Sequence, residues 1–284
     1  MLVLACVCAC GAAHAQTATT SSHDDVDESD APDFIIPARP TVSNPAEFQR
    51  PGVLQLEYGL NANWRAPSGV SALDTPLALR LALSRRLLFE FDGDSPNSQA
   101  AAGVRTTGAG DTQLGVQAVL EHEAASRPGV ALAYYVKLPT ASAARGLGTG
   151  RVDHNLLALV SKKLGETTFD FNAVYLLAGR TTGTGRASSG QAALAASRNV
   201  TRRVGLQGEL SGFSRNDAQA AAAFGLGVVT YQLNRRLVFD CGLRLGLTNE
   251  APRVGAVAGL TVGVADLHRH QVKKSHRRPA PAQQ

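Results

Sequence analysis

Side chains over residues 224–247 alternate strictly between two kinds, and this pattern sets narrow limits on the fold. A first arm, FGLGVVTY, is joined by QLNRR to a second arm, LVFDCGLRLGL. Successive side chains of a β-strand point to opposite faces, so this period of two predicts a hairpin with one apolar and one polar face. In the second arm the odd-numbered positions form the apolar face: Leu237, Phe239, Cys241, Leu243, Leu245 and Leu247. The even-numbered positions form the other face: Val238, Asp240, Gly242, Arg244 and Gly246.

Two kinds of protein produce this alternation. A strand that is half-buried in a soluble sandwich does so, and so does a tilted transmembrane strand of about ten residues. The length of the arms and their repetition along the chain favour the second. The pattern predicts about 12 strands, an even number as in bacterial barrels. Besides the two arms, alternating segments cover residues 54–60, 77–83, 87–92, 111–121, 130–137, 153–162, 169–177, 191–197, 204–211 and 255–264.

The connections between these segments alternate in length and charge. Every second connection is short and basic, and those between are mostly longer and rich in Gly, Ser and Thr, as in the polar loop predicted over residues 94–108. A barrel with both termini in the periplasm has short turns at one rim and longer loops at the other, whereas a Greek-key sandwich gives no reason for this alternation. We therefore predict an all-β, antiparallel transmembrane β-barrel of the bacterial outer membrane. The short connections are residues 84–87, 161–164, 199–204 and 234–237.

The amino terminus resembles a secretory signal. Residues 2–13 are apolar and small, and Ala13-His14-Ala15 fits an Ala-x-Ala cleavage site, so residues 1–15 are predicted to be a signal peptide. A buried terminal strand or helix is the alternative. Cleavage after residue 15 leaves Cys241 as the one cysteine, which excludes an internal disulfide. No apolar run after residue 15 is long enough for a membrane helix.

The predicted barrel, residues 51–266, lies between two polar segments. Residues 16–50 are proline-punctuated and include six acidic residues between positions 24 and 33, which predicts a disordered acidic leader. Residues 267–284 are predicted to be a basic disordered tail, and they bias the net charge of +5. In a secreted protein we expect this tail to be solvated, or to pair with the leader, peptidoglycan or other anionic envelope components. We expect no nucleic-acid partner.

The side chains on the polar face of each predicted strand are candidates for the lining of the lumen. Charged side chains facing inward could set the selectivity of a pore. They could equally pair with one another and fill a closed interior, as side chains fill small barrels. The candidates are Glu57, Arg80, Glu90, Asp92, Gln113, Gln117, Glu121, Lys137, Asp170, Asn172, Glu209, Asp240 and Arg244.

Signals for catalysis are weak. His122 and His154 are the only histidines in the predicted barrel, and no Cys/His spacing indicates a metal site. The glycine-rich stretches at residues 146–150 and 182–185 are not followed by Lys-Ser/Thr or by a helical pattern, so they are predicted to be loops and not phosphate-binding sites. We predict no enzymatic activity and no cofactor.

Three short stretches resemble an outer-membrane channel family linked to the meta-pathway of phenol degradation. They are GAGDT at residues 108–112, YYVKLPT at 134–140, and the stretch 148–153 that leads to SKKLG at 161–165. The resemblance covers most of residues 50–265 and implies a small barrel that passes hydrophobic or aromatic compounds. The chain departs from the usual barrel end, because its last strand finishes near Val264-Ala265-Asp266 without an aromatic residue.

The sequence therefore leaves two functions open. The first is a channel that lets small, hydrophobic or aromatic molecules cross the outer membrane, with membrane lipid and a small-molecule solute as partners. The alternative is a closed structural or tethering barrel that transports nothing.

Overall fold

A computed structural model describes residues 34–66, 71–101, 104–180, 184–215 and 220–267. These residues form antiparallel strands and one short 3-10 helix, Ala143–Arg145. The strands are β1 (Val53–Trp64), β2 (Ser71–Ala82), β3 (Leu87–Ala101), β4 (Val104–Gly108), β5 (Thr112–Glu121), β6 (Gly129–Leu138), β7 (Asp153–Leu164), β8 (Thr167–Gly179), β9 (Arg186–Asn199), β10 (Val204–Phe213), β11 (Ala222–Asn234), β12 (Leu237–Gly246) and β13 (Val254–Asp266).

Twelve of these strands close into a barrel. Each pairs with its neighbours in sequence, and β1 pairs with both β2 and β13, which joins the two ends of the sheet. Strand β3 pairs with β5 through residues 87–92, while its far end pairs with β4. Strand β4 is therefore an extension of one hairpin beyond the barrel wall. The predicted antiparallel barrel of about 12 strands is confirmed.

The predicted polar loop over residues 94–108 is wrong in part. Strand β3 continues to Ala101 and the chain folds back as β4, with Asn97 opposite Gly108. Most of these residues are small or polar on both faces of the hairpin. The sequence therefore shows no alternation of apolar and polar residues here. It is held by ladder hydrogen bonds between backbone groups.

The two faces of the wall differ as the alternation predicts. On β6, Leu132 and Tyr134 are exposed on the outer face, while Ala133 and Tyr135 are buried on the inner face. The same parity rule places large apolar side chains outward on the other strands. An apolar outer band is what a barrel presents to lipid, where no water can satisfy polar groups.

The connections divide between two rims. The chain enters β1 and leaves β13 at one rim, here called the terminal rim, which also holds the short turns. In the β7–β8 turn Gly165 has φ 62°, a left-handed conformation that favours glycine. The opposite, loop rim holds the longer connections, including residues 139–152 with the 3-10 helix. The predicted alternation of short and long connections is thus present.

The main departure from the sequence analysis lies inside the barrel. Residues 34–50, predicted to be part of a disordered leader, run through the barrel interior, and are here called the inner segment. Ala46, Phe48 and Gln49 are at most 5% exposed. Composition explains the difference: the acidic run stops at Asp33, and the segment then supplies Ile35, Ile36 and Phe48 together with prolines, which favour extended chain.

Three predicted features lie outside the described residues: the signal peptide, the acidic run at residues 24–33, and the basic tail from residue 268 onward. Among the described residues, no helix has the length and hydropathy needed to cross a bilayer.

The orientation of Cys241 gives a direct test of strand parity. Cys241 is exposed on the outer face of β12, next to Phe239 and Leu243, whereas Asp240 is buried. We expect a charged, membrane-impermeant maleimide to leave the folded, membrane-inserted protein unlabelled, because a charged reagent does not enter the hydrocarbon that surrounds this thiol. The reagent should label the denatured chain fully. Rapid labelling of the native protein would place Cys241 in water and contradict the parity of β12.

Candidate functional site in the barrel lumen

The first half of the inner segment is bound by carboxylates and an amide on the wall. The backbone N–H groups of Ala38 and Arg39 donate to the two carboxylate oxygens of Glu57, at 2.9 and 3.1 Å. The amide of Gln55 exchanges hydrogen bonds with the backbone of Ile36, accepting at 3.0 Å and donating at 2.8 Å. The N–H of Ser43 donates to Glu209 at 2.7 Å. Wall side chains thus take the place of a partner strand.

The second half is bound by neutral polar groups. Asn44 and Asn172 form a reciprocal pair: the Asn44 N–H donates to the side-chain oxygen at 2.7 Å, and the side-chain nitrogen donates to the Asn44 carbonyl at 2.8 Å. The N–H of Ala46 donates to the Ser161 hydroxyl at 2.8 Å. Gln117 donates to the carbonyls of Pro45 and Ala46. Buried backbone groups that lack a ladder require such partners.

Apolar contacts add to these hydrogen bonds near the end of the segment. Phe48 packs against Ala82, Leu88 and Val119 on three consecutive wall strands. Ala46 packs in a second cluster, formed by Ala131, Ala133, Tyr135, Leu157 and Leu159 on β6 and β7. Small wall residues leave the space that these side chains occupy.

Arg39 anchors the segment to the barrel seam where β1 meets β13. Its guanidinium donates to Asp240 at 3.3 and 3.4 Å and to the carbonyl of Ala258 at 3.0 Å. Gly59 and Gly259 are opposite each other in the β1–β13 ladder. A Cβ on Gly59 would lie 2.0 Å from the guanidinium, and one on Gly259 would lie 2.5 Å from it. Both positions therefore require glycine for Arg39 to dock.

A second arginine, Arg80, lies fully buried beside the segment. It donates to Glu90 at 3.1 Å, to Glu57 at 3.4 Å and to the Ile36 carbonyl at 3.1 Å. The Tyr135 hydroxyl donates to Glu90 at 3.3 Å. A buried guanidinium needs such carboxylate partners, because an uncompensated charge here would be strongly destabilising.

The structure divides the thirteen predicted lumen residues into three groups. Eight are buried at the level of the inner segment: Glu57, Arg80, Glu90, Gln117, Asp170, Asn172, Glu209 and Asp240. Four are partly buried between the segment and the loop rim: Asp92, Gln113, Lys137 and Arg244.

The remaining predicted lumen residue, Glu121, has a different position. The β5–β6 ladder shifts register between Val119 and Glu121. A bulge of this kind breaks the alternation of side chains. Glu121 therefore pairs with Arg127 at 2.7 Å on the exposed terminal rim.

Sequence reasoning missed the inner segment itself and Gln55. Gln55 shares the parity of Glu57 on β1 and could have been found by the same rule. Arg39 could not, because nothing in the sequence connects it with Asp240, 201 residues away. Ser161 lies where the predicted strand 153–162 overlaps the predicted connection 161–164, and its hydroxyl donates to Asp170 between β7 and β8.

The inner segment separates cavities on its two sides. Toward the loop rim lie two cavities of about 430 and 210 Å³, which share Asp92 and Gln113 in their walls. Toward the terminal rim lies a cavity of about 460 Å³, lined by segment residues and by turn residues such as Lys163 and Asn199. The segment therefore lies between the two loop-side cavities and the terminal-side cavity.

The two loop-side cavities differ in chemistry. The larger contains Asp92, Asp94 and Asp111, and Lys137 bridges Asp111 at 3.1 Å and Asp153 at 2.6 Å. The smaller is lined by polar and apolar residues that lie side by side on neighbouring strands. Among the polar ones, Asn155 donates to Gln113 at 3.1 Å, and the apolar ones are Tyr135, Leu157, Val174, Leu176 and Phe213, with Val42 of the inner segment.

Comparison with known proteins identifies the family. The family model described as "Putative MetA-pathway of phenol degradation" matches residues 38–262. The chain belongs to this family. The match begins within the inner segment, at Ala38, so the phenol-degradation family model includes most of that segment as well as the barrel.

Solved structures share the fold of this family member. An outer membrane channel from Pseudomonas putida F1 superposes with a TM-score of 0.58 at 16% identity, covering 76% of this chain and 97% of that one. The NanC porin superposes with a TM-score of 0.52 at 9% identity, covering 74% and 98%. No curated protein matches the chain in sequence. Within the described part of the chain, no group of His, Cys, Asp and Glu side chains is arranged to hold a metal ion.

The Arg39–Asp240 pair can be tested by replacing Arg39→Gln. The variant removes charge-assisted hydrogen bonds worth about 2 kcal/mol of segment docking, and leaves Asp240 buried without its cation. We expect more frequent and larger current openings in planar bilayers. The matched control, Arg202→Gln, removes an exposed arginine from a terminal-rim turn and should behave as wild type. Identical currents from all three proteins would show that Arg39 does not hold the segment.

Proposed function

We propose that the protein is an outer-membrane channel for small hydrophobic or aromatic molecules that carry a polar group. The observation that carries this proposal is the smaller loop-side cavity, which is lined by apolar side chains together with a few hydrogen-bonding ones. Ligand sites are mostly apolar with a few placed polar groups, and drug-sized ligands occupy about 300–1,000 Å³. A cavity of about 210 Å³ suits a smaller solute, of the size of a single substituted ring.

Under this proposal the lumen residues divide by role. Asp92, Gln113, Lys137 and Arg244, on the loop side of the inner segment, contact the solute and set its charge preference. The buried group around Glu57 and Arg80 holds the segment in place. Displacement of the segment then connects the loop-side and terminal-side cavities and completes the path.

The second candidate, a closed structural barrel, is favoured by a separate observation. The inner segment fills the interior with residues that are almost fully buried, such as Ala46 and Ser43, and its backbone is hydrogen-bonded to the wall at many points. A segment that never leaves would make the barrel a membrane-anchored support.

The two functions differ in whether solute entry depends on the protein. Cells that contain the protein should take up a radiolabelled monocyclic phenol at limiting concentration faster than cells without it, while uptake of a pentose stays unchanged. Leu176→Gln replaces one of the apolar lining residues with an amide and should lower phenol uptake by about tenfold, since losing apolar contact costs about 1–3 kcal/mol. The control Thr168→Gln alters the terminal-side cavity and should have little effect.

Phenol uptake that is the same with and without the protein would support the closed barrel instead. Equal loss of uptake in the Leu176→Gln and Thr168→Gln variants would show that the loop-side cavity does not select the solute.

A further inference from the structure

A cluster of arginines lies at one part of the loop rim. The β6–β7 and β8–β9 connections, residues 139–152 and 180–186, contain four arginines and no acidic residue. By contrast, residues 247–253 of the β12–β13 connection balance Arg253 with Glu250. Positive charge is therefore concentrated on the two connections that flank the β7–β8 hairpin.

Contacts between the two connections bring three of these arginines together, and they are here called the arginine cluster: Arg151, Arg180 and Arg186. The Arg186 guanidinium donates to the Val152 carbonyl at 3.1 Å, and Arg180 donates to the Arg186 carbonyl at 3.3 Å. Arg186 is opposite Gly179 in the β8–β9 ladder. A Cβ on Gly179 would lie 2.6 Å from the Cβ of Arg151. The absence of a side chain at Gly179 thus allows Arg151 to pack there.

The cluster faces outward. On β8 the exposed residues Phe171 and Tyr175 share the parity of Gly179, and on β9 exposed Leu194 shares the parity of Arg186. Arg151 and Arg186 therefore lie over the lipid-facing side of the wall and not over the lumen. Both are exposed.

An aromatic band lies directly below the cluster on the same outer face. The Tyr134 hydroxyl and His154 Nδ1 are 2.7 Å apart, and the two rings stack with centroids 6.1 Å apart. Tyr175, four residues below Gly179 on β8, is 54% exposed. At about 3.3 Å per residue it lies roughly 13 Å further along the strand toward the barrel middle. Amphipathic aromatic side chains mark the membrane–water interface, so the cluster lies at headgroup level.

From this arrangement we propose that the arginine cluster binds the phosphorylated headgroup of lipopolysaccharide in the outer leaflet. Longer loops face the cell exterior in bacterial barrels, so the loop rim meets that leaflet. Guanidinium groups form bidentate, charge-assisted hydrogen bonds with phosphate oxygens, and the apolar face below packs against acyl chains. This site is independent of transport through the lumen.

The test titrates the detergent-solubilised full chain with a rough-type lipopolysaccharide that retains its lipid A phosphates. Arg151→Gln combined with Arg186→Gln should weaken binding by about tenfold or more, equivalent to 1.4 kcal/mol. The control pair, Arg202→Gln with Arg203→Gln, removes the same charge from an exposed turn at the terminal rim and should bind as wild type. Unheated gel mobility confirms that each variant is folded.

Two further measurements separate phosphate recognition from other effects. Arg151→Lys with Arg186→Lys keeps the charge but removes the bidentate geometry, and should give an intermediate loss. Dephosphorylated lipid A should bind wild type as weakly as the glutamine pair binds the intact lipid. The proposal is overturned if the glutamine pair binds normally, if the control pair loses as much, or if phosphatidylglycerol binds wild type as tightly as lipopolysaccharide.

Discussion

The hydrogen bonds between the inner segment and the wall are the interaction on which the rest of the interior depends. Residues 34–50 form no regular ladder with the barrel, so their backbone groups need side-chain partners, and an orphaned buried group would cost about 1–3 kcal/mol. Glu57, Asn172 and Gln117 supply them. The inward-facing side chains of the strands are therefore polar because they bind a polypeptide segment, in addition to any solute.

This requirement connects the barrel's shape with its composition. The apolar outer face is suited to contact with lipid hydrocarbon. Pairing of β1 with β13 closes the sheet and leaves no strand edge in the barrel wall. Inside, glycines and alanines at the seam and on β6 make room for Arg39 and Ala46. The polar spaces that remain lie on either side of the segment, so the part of the lumen available to a solute is set by where the segment lies.

Much of the fold could be predicted from the sequence, and the interior only in part. The strict alternation of β12 and the basic short turns were sufficient for the barrel, because lipid imposes one parity rule on every strand. The same rule predicted Glu57, Asp240 and the other inward-facing candidates, most of which are buried inside the barrel. It failed at Glu121, where a bulge changes the register, and at residues 34–50, where an extended segment has no period. Contacts such as Arg39 with Asp240 depend on closure of the whole barrel, which no local pattern encodes.

The most direct test of the account compares single-channel conductance of the full-length protein with that of a variant lacking residues 34–49, both confirmed as folded by heat-modifiable mobility. If the inner segment occupies the lumen, the full-length protein should show low conductance with brief openings, and the shortened protein should show stable openings several times larger. Equal conductance of the two proteins would contradict the account, because the segment would then not obstruct the path through the barrel.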